Sequence, residues 1–183
     1  MKKSLSICTI VLVAIVAFIY VIKSDNVTTM PHTSPTSSLT LASSAFDDGA
    51  TIPALYTCKG KDLSPPLYIS GVPSGTKSLT LTLEDPDTSI GTFDHWVVFN
   101  IDPSTSVIAE GMQPNGILGK GTSGETAYVS PCPPSGIHHY IFSLYAVDTR
   151  LPLSFGVTKQ QVLEAMKGHI IGTTRLVGMF GAE

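Results

Sequence analysis

Hydrophobic and polar residues alternate strictly over residues 77–84 (KSLTLTLE). Leu79, Leu81 and Leu83 fall on one face and Thr80 and Thr82 on the other, the period-two signature of a β-strand. Residues 95–101 (HWVVFNI) are aromatic and β-branched and predict a second strand. Ile137 to Val147 is apolar on both faces, which places it centrally in a sheet. Ile170 to Phe180 predicts a fourth strand, weakened by Gly172 and Gly178. Leu39 to Ala42 and Leu67 to Ser70 add edge strands, and Gly/Pro-rich loops fill 102–124 and 130–136. One helix is predicted. Thr158 with Gln161 three residues later makes a capping-box pattern, Val162, Leu163 and Met166 form an apolar stripe, and Gly168 ends it. Many strands, long loops and one short C-terminal helix predict a mostly β, sandwich-like domain.

The first 38 residues follow another pattern. Ile7 to Ile22 is an apolar run of 16 residues broken only by Thr9, preceded by Lys2 and Lys3. As a helix it would span about 24 Å against a hydrocarbon core of about 30 Å, yet it is longer than most signal-peptide apolar regions. Residues 1–23 therefore read as a signal anchor or a cleaved signal peptide. Either exports the rest of the chain, and membrane contact is expected through this segment only. Cys8 lies inside the run. Residues 24–38 are rich in Ser, Thr and Pro and read as a flexible linker, with a sequon letter match at Asn26. Residues 39–183 then form the folded domain.

Composition narrows the functional classes. The chain has 183 residues, a net charge of −3 and only 14% charged residues. Three of its 11 basic residues precede residue 24, so residues 39–183 carry 8 basic against 13 acidic side chains. That balance argues against nucleic-acid partners and against electrostatic docking on anionic lipid.

The candidate chemistry lies at strand ends. Asp85-Pro86-Asp87 follows the alternating strand, and Pro86 cannot extend its ladder, so both carboxylates sit in a turn. His95 begins the next strand. If the two strands form a hairpin, Asp85, Asp87 and His95 converge at one sheet end; the plainer reading is an Asx turn beside a core histidine. Residues 128–136 (YVSPCPPSG) form a stiff loop that feeds His138, His139 and Tyr140. By period two, His138, Tyr140, Phe142 and Leu144 share a face and His139 takes the other.

Together these blocks resemble the phosphatidylethanolamine-binding protein family, in particular its bacterial and archaeal Raf kinase inhibitor-like branch. The resemblance runs from about Leu39 to Phe180. It is carried by residues 56–67 (YTCKGKDLSPPL), Asp85-Pro86-Asp87, 95–101 (HWVVFNI), 131–138 (PCPPSGIH) and 165–170 (AMKGHI). It implies a large central antiparallel sheet packed on a smaller sheet, with a small anion pocket at one end for phosphate-type groups or phospholipid head groups. Carried over, that pocket would contain Asp85, Asp87, His95, His138 and Tyr140, with Pro86 and Trp96 shaping its wall and Tyr128 nearby. His139 stands where the family more often has an arginine. The two carboxylates would raise the pKa of the neighbouring histidines and keep them cationic toward a phosphate. A zwitterionic head group would then set its phosphate toward His95 and His138 and its ammonium toward Asp85 and Asp87. Cys58 and Cys132 both fall in pocket-side loops of the family pattern. In an oxidising compartment a bridge between them is expected, closing about 75 residues and stabilising by about 4 kcal/mol in the chain-entropy model; two free buried thiols are the alternative.

The function this implies is non-enzymatic: an exported binding or inhibitor module with a small anionic ligand, no cofactor, and a protease or kinase-pathway component as possible protein target. The alternative is a weak hydrolase using the Asp/His cluster. A metal site lacks a compact ligand motif, and no G-x-S-x-G elbow is present. Residues 119–124 (GKGTSG) match a dinucleotide fingerprint by letter but precede no helix pattern, so they read as loop.

Overall fold

The computed structural model describes residues 38–182. The apolar segment 7–22, Cys8, the sequon at Asn26 and nearly all of the linker lie outside them. Among the described residues no helix is long and apolar enough to cross a membrane.

The described residues form nine strands and one α-helix: β1 (Thr40–Ala42), β2 (Ala50–Thr51), β3 (Leu67–Ser70), β4 (Ser78–Asp85), β5 (Phe93–Ile101), β6 (Val107–Ile108), β7 (Ile117–Leu118), β8 (Ile137–Val147), α1 (Lys159–Ala165) and β9 (Ile170–Gly181). Six strands make the large sheet in the order β2-β9-β8-β4-β5-β7, and β1, β3 and β6 make the small one. All pairs are antiparallel except β2 with β9 at one edge. The apolar strand β8 lies between β4 and β9, as its two apolar faces require. β1 and β3, expected as edge strands, pair with each other in the small sheet.

The main core fills the space between the sheets. Leu79, Leu81 and Leu83 of β4 and Tyr140, Phe142 and Leu144 of β8 meet Leu41, Leu67, Ile69 and Ile108 of the small sheet. The alternation in β4 suggests one buried face, but Thr80 and Thr82 are also almost fully buried. Their face belongs to a second core, in which Val97, Phe99 and Val147 pack with Leu151 and with Val162 and Met166 of α1. The large sheet is thus covered on both sides.

α1 begins as its sequence predicts: the Thr158 hydroxyl accepts from Gln161 N–H, and the Gln161 side chain accepts from Thr158 N–H. It ends at Ala165, and Gly168 takes φ +78° in the turn that leads into β9. β5 is irregular twice, with register shifts against β4 between Leu79 and Leu81 and between Leu83 and Glu84. At the first, Asn100 adopts φ +57°. Its amide donates to Leu151 O at 2.9 Å and accepts from Leu151 N–H at 2.8 Å.

Candidate functional site

The end of β4, the start of β5 and the start of β8 meet at one end of the large sheet, because β4 pairs antiparallel with both neighbours. A cavity of about 420 Å³ opens there, toward the small end of ligand pockets, which run roughly 300–1,000 Å³. Asp85, Asp87, His95, His138 and Tyr140 all line it, with Thr88–Ile90 and Phe93 on one side and Val129, Ser130 and Cys132–Ser135 on the other.

His95 reaches the cavity through the second irregularity. Asp94 pairs with Glu84 and Trp96 with Leu83, so His95 is the extra residue of a bulge. A bulge re-aims a side chain that strict alternation would send elsewhere. The His95 ring lies 5.4 Å from that of Tyr140 and 4.7 Å from that of Phe93. Its Nδ1 donates to Val129 O at 2.8 Å, and Val129 N–H donates back to His95 O at 3.0 Å. The carbonyl can only accept, so Nδ1 carries hydrogen and Nε2 is the nitrogen left for a ligand.

Asp85 is 2% exposed, and both its oxygens are engaged. Oδ1 accepts from Asp87 N–H at 2.9 Å and Oδ2 from His138 Nδ1 at 2.7 Å. The Asx turn expected as the plainer reading is therefore real, and the same carboxylate also orients His138. Asp87 Oδ2 accepts from both the backbone N–H and Nδ1 of His139, each at 2.8 Å. The His139 backbone N–H, and then its imidazole, hold the Asp87 carboxyl below the usual range. Tyr140 is fully buried, yet among the described residues its hydroxyl has no hydrogen-bond partner. Burial first, and the nearby Asp85 carboxylate second, push its pKa well above the ordinary tyrosine value, so it stays a neutral donor.

The sequence reading puts Pro86 and Trp96 in the wall and Tyr128 near it. Pro86, Trp96 and Tyr128 do not line the cavity. Pro86 is an exposed turn residue. Trp96 is 1% exposed within the core, donates its indole N–H to Gln113 Oε1 at 2.8 Å and meets Tyr128 edge to face at 5.4 Å. Tyr128 donates to Tyr56 O at 3.1 Å. The charge of His95 is also opposite to expectation: burial lowers its pKa, outweighing the carbonyl of Val129 and the carboxylates of Asp85 and Asp94.

Cys58 and Cys132 are joined by a disulfide, with Cα atoms 5.4 Å apart. Cys132 is on the cavity wall, so the bridge fixes that wall to the 54–62 loop. Sequence reasoning missed three residues directly behind the site. Lys159 of α1 contacts both Glu84 and Asp94. Burial opposes its charge, but the carboxylates of Asp94 and Glu84 outweigh it and hold its pKa above the ordinary value. The acidic pair is visible in sequence beside Asp85 and His95; nothing in the sequence points from them to Lys159.

A family model described as phosphatidylethanolamine-binding protein matches residues 42–181. A UPF0098 protein of Methanothermobacter thermautotrophicus is 45% identical over 148 residues, covering 78% of this chain and 98% of that one. LppC of Mycobacterium tuberculosis, named as a candidate lipoprotein, is 40% identical over 159 residues, covering 85% of this chain and 77% of that protein. The crystal structure of a phosphatidylethanolamine-binding protein homologue from Chlamydia trachomatis superposes with a TM-score of 0.78 at 45% identity, covering 80% of this chain and 99% of that one.

Proposed function

The chain belongs to the phosphatidylethanolamine-binding protein family, and from that premise we propose that it binds a small phosphate-bearing ligand, such as a phospholipid head group, at the Asp85–His95–His138–Tyr140 cavity without turning it over. One observation carries the reading. The Tyr140 hydroxyl is buried on the cavity and unpartnered among the described residues, and a buried donor without a partner costs about 1–3 kcal/mol, which a ligand oxygen would recover. Asp85 serves as the orienter of His138, because both of its oxygens are already engaged. The Asp87 carboxylate remains on the cavity wall for an ammonium group. The cavity volume suits a head group better than a whole lipid. Export and tethering through residues 1–23 complete the proposal, supported by the apolar run and by the name of the mycobacterial relative.

The test is calorimetric titration of the full chain with glycerophosphoethanolamine. Its phosphodiester stays a monoanion at pH 5–8, unlike a phosphomonoester with a second pKa of about 6. Saturable binding without release of ethanolamine is expected. Tyr140→Phe should weaken it at least about tenfold, since a hydrogen bond to a charged oxygen contributes roughly 1.5–3 kcal/mol. Affinity should rise as pH falls below the ordinary histidine value of 6.5 and His95 gains its proton. Equal binding by Tyr140→Phe, or affinity constant with pH, would count against the assignment; steady release of ethanolamine would favour the hydrolase.

A further inference from the structure

The bulge that turns His95 has acidic residues opposite each other at its edge: Glu84 of β4 and Asp94 of β5 are register partners. Like charges directly opposite across a strand pair repel. Lys159, the first residue of α1, places its ammonium 2.5 Å from Glu84 Oε2 and against Asp94 Oδ1. The lysine side chain is only 12% exposed, and the carboxylates 28% and 21%. The Asp94 backbone is fixed as well: its N–H donates to Thr122 Oγ1 at 2.8 Å, and its carbonyl accepts from Thr122 N–H at 2.9 Å. Glu84 immediately precedes Asp85, and Asp94 immediately precedes His95. Lys159 does not line the cavity.

We propose that Lys159 is the positioning residue of this cavity: by drawing Glu84 and Asp94 together from behind the sheet, it holds the bulge that aims His95 and the strand end that carries the Asp85–His138 pair. Its effect on affinity rests on the ligand reading above; its effect on His95 does not. A part-buried ion cluster is a poor way to gain stability alone, because apolar replacements are often neutral or better. Fixing register is the best-attested use of such groups, and here the register is the one that sets His95. Without the lysine, two uncompensated carboxylates face each other and drive the strands apart at the bulge. The titratable groups around His95 are Asp85, Asp94, His138 and Tyr140, with Lys159 beyond Asp94.

The full chain is compared as wild type, Lys159→Arg, Lys159→Met, and Lys159→Met combined with Glu84→Gln and Asp94→Asn. Two measurements are made: glycerophosphoethanolamine affinity by calorimetry, and the His95 ring resonances of the ligand-free chain over a pH titration. Lys159→Met is expected to bind about tenfold more weakly, with displaced His95 resonances and a midpoint moved upward as Asp94 loses its counter-ion. Lys159→Arg should bind like wild type. The triple variant should return to within about threefold of wild-type affinity, with its His95 resonances back near their original positions. Wild-type affinity and unmoved His95 resonances in Lys159→Met would overturn the proposal, as would a folded triple variant that stays as weak as Lys159→Met, since the lysine stem would then be acting by packing. Should Lys159→Met fail to fold, the triple variant decides alone. A wild-type chain that does not bind the probe refutes the ligand reading; displacement of the His95 resonances in Lys159→Met and their return in the triple variant would still support the clamp, and unmoved resonances would still refute it.

Discussion

Three histidines stand at this sheet end, and each has a different Nδ1 partner: a backbone carbonyl for His95, a buried carboxylate for His138 and an exposed carboxylate for His139. Burial lowers the His95 pKa in the folded chain, so the unfolded chain binds its proton first. The sign follows from linkage. The contribution of neutral His95 to stability is complete above about pH 6.5, and it is lost as pH falls from there to the lower pKa of the folded state. Thermal unfolding between pH 7.5 and 5 should show a falling melting temperature, with a shallower fall for His95→Gln. Equal slopes would mean that His95 titrates alike in both states. Asp87, whose pKa is also lowered, acts only further down: its contribution is present above pH 3.8 and lost below it. For Tyr140→Phe the melting temperature should hold or rise slightly, because the hydroxyl removed satisfies no partner. At this scale the sequence was partly legible. Period two put His138 and Tyr140 on one face, and the Asp-Pro-Asp turn placed the carboxylates. The direction of His95 was hidden because a bulge breaks the period, and the place of Trp96 was hidden because it packs into the main core, where its partners Gln113 and Tyr128 come from distant loops.

At the scale of elements, legibility followed the source of each element's stability. β4, β5, β8, β9 and α1 carry their own signal, in alternation, β-branching or a capping box. β2, β6 and β7 are two residues each, inside Gly/Pro-rich loops, and exist only because Val177–Met179, Tyr68 and Phe99 offer them partners. The other bulge in β5 is equally silent in the sequence, yet it is anchored firmly. Asn100 pays for its left-handed backbone with two side-chain hydrogen bonds to Leu151. Asn100→Ala should lose both and strain the backbone, costing about 3 kcal/mol, whereas Asn100→Gly keeps the backbone angle and should cost about 1–2 kcal/mol less than that. Urea unfolding measures both; equal costs would show that the backbone angle carries no penalty.

For the whole molecule, the disulfide joins residues 74 apart in sequence and reaches across to the cavity wall. A variant with Cys58→Ser and Cys132→Ser should lose about 4 kcal/mol in the chain-entropy model and bind ligand more weakly, because the 130–136 loop is no longer tied to residues 54–62. Unchanged urea midpoints would show that the loop is held by its prolines and by the Cys58 N–H to Pro131 O hydrogen bond alone. The family resemblance carried the two-sheet architecture from five short blocks. The second core on the far side of the large sheet was not legible, since the threonines of β4 look like a solvent face until α1 covers them.

The order of strands in the large sheet also sets a schedule for synthesis. Among the long strands of the large sheet a ribosome delivers β4 and β5 first, then a stretch holding only the short β6 and β7 before β8, the strand that must lie beside β4. β2 is made early, yet its partner β9 is the last of these described strands to be translated. Until residues 170–181 emerge, the nascent chain carries β8 as an open edge with unpaired amides and carbonyls, a template for pairing with other chains. A message truncated before codon 170 therefore yields an aggregation-prone product, and a chaperone that shields the growing chain is needed most between the emergence of β8 and that of β9.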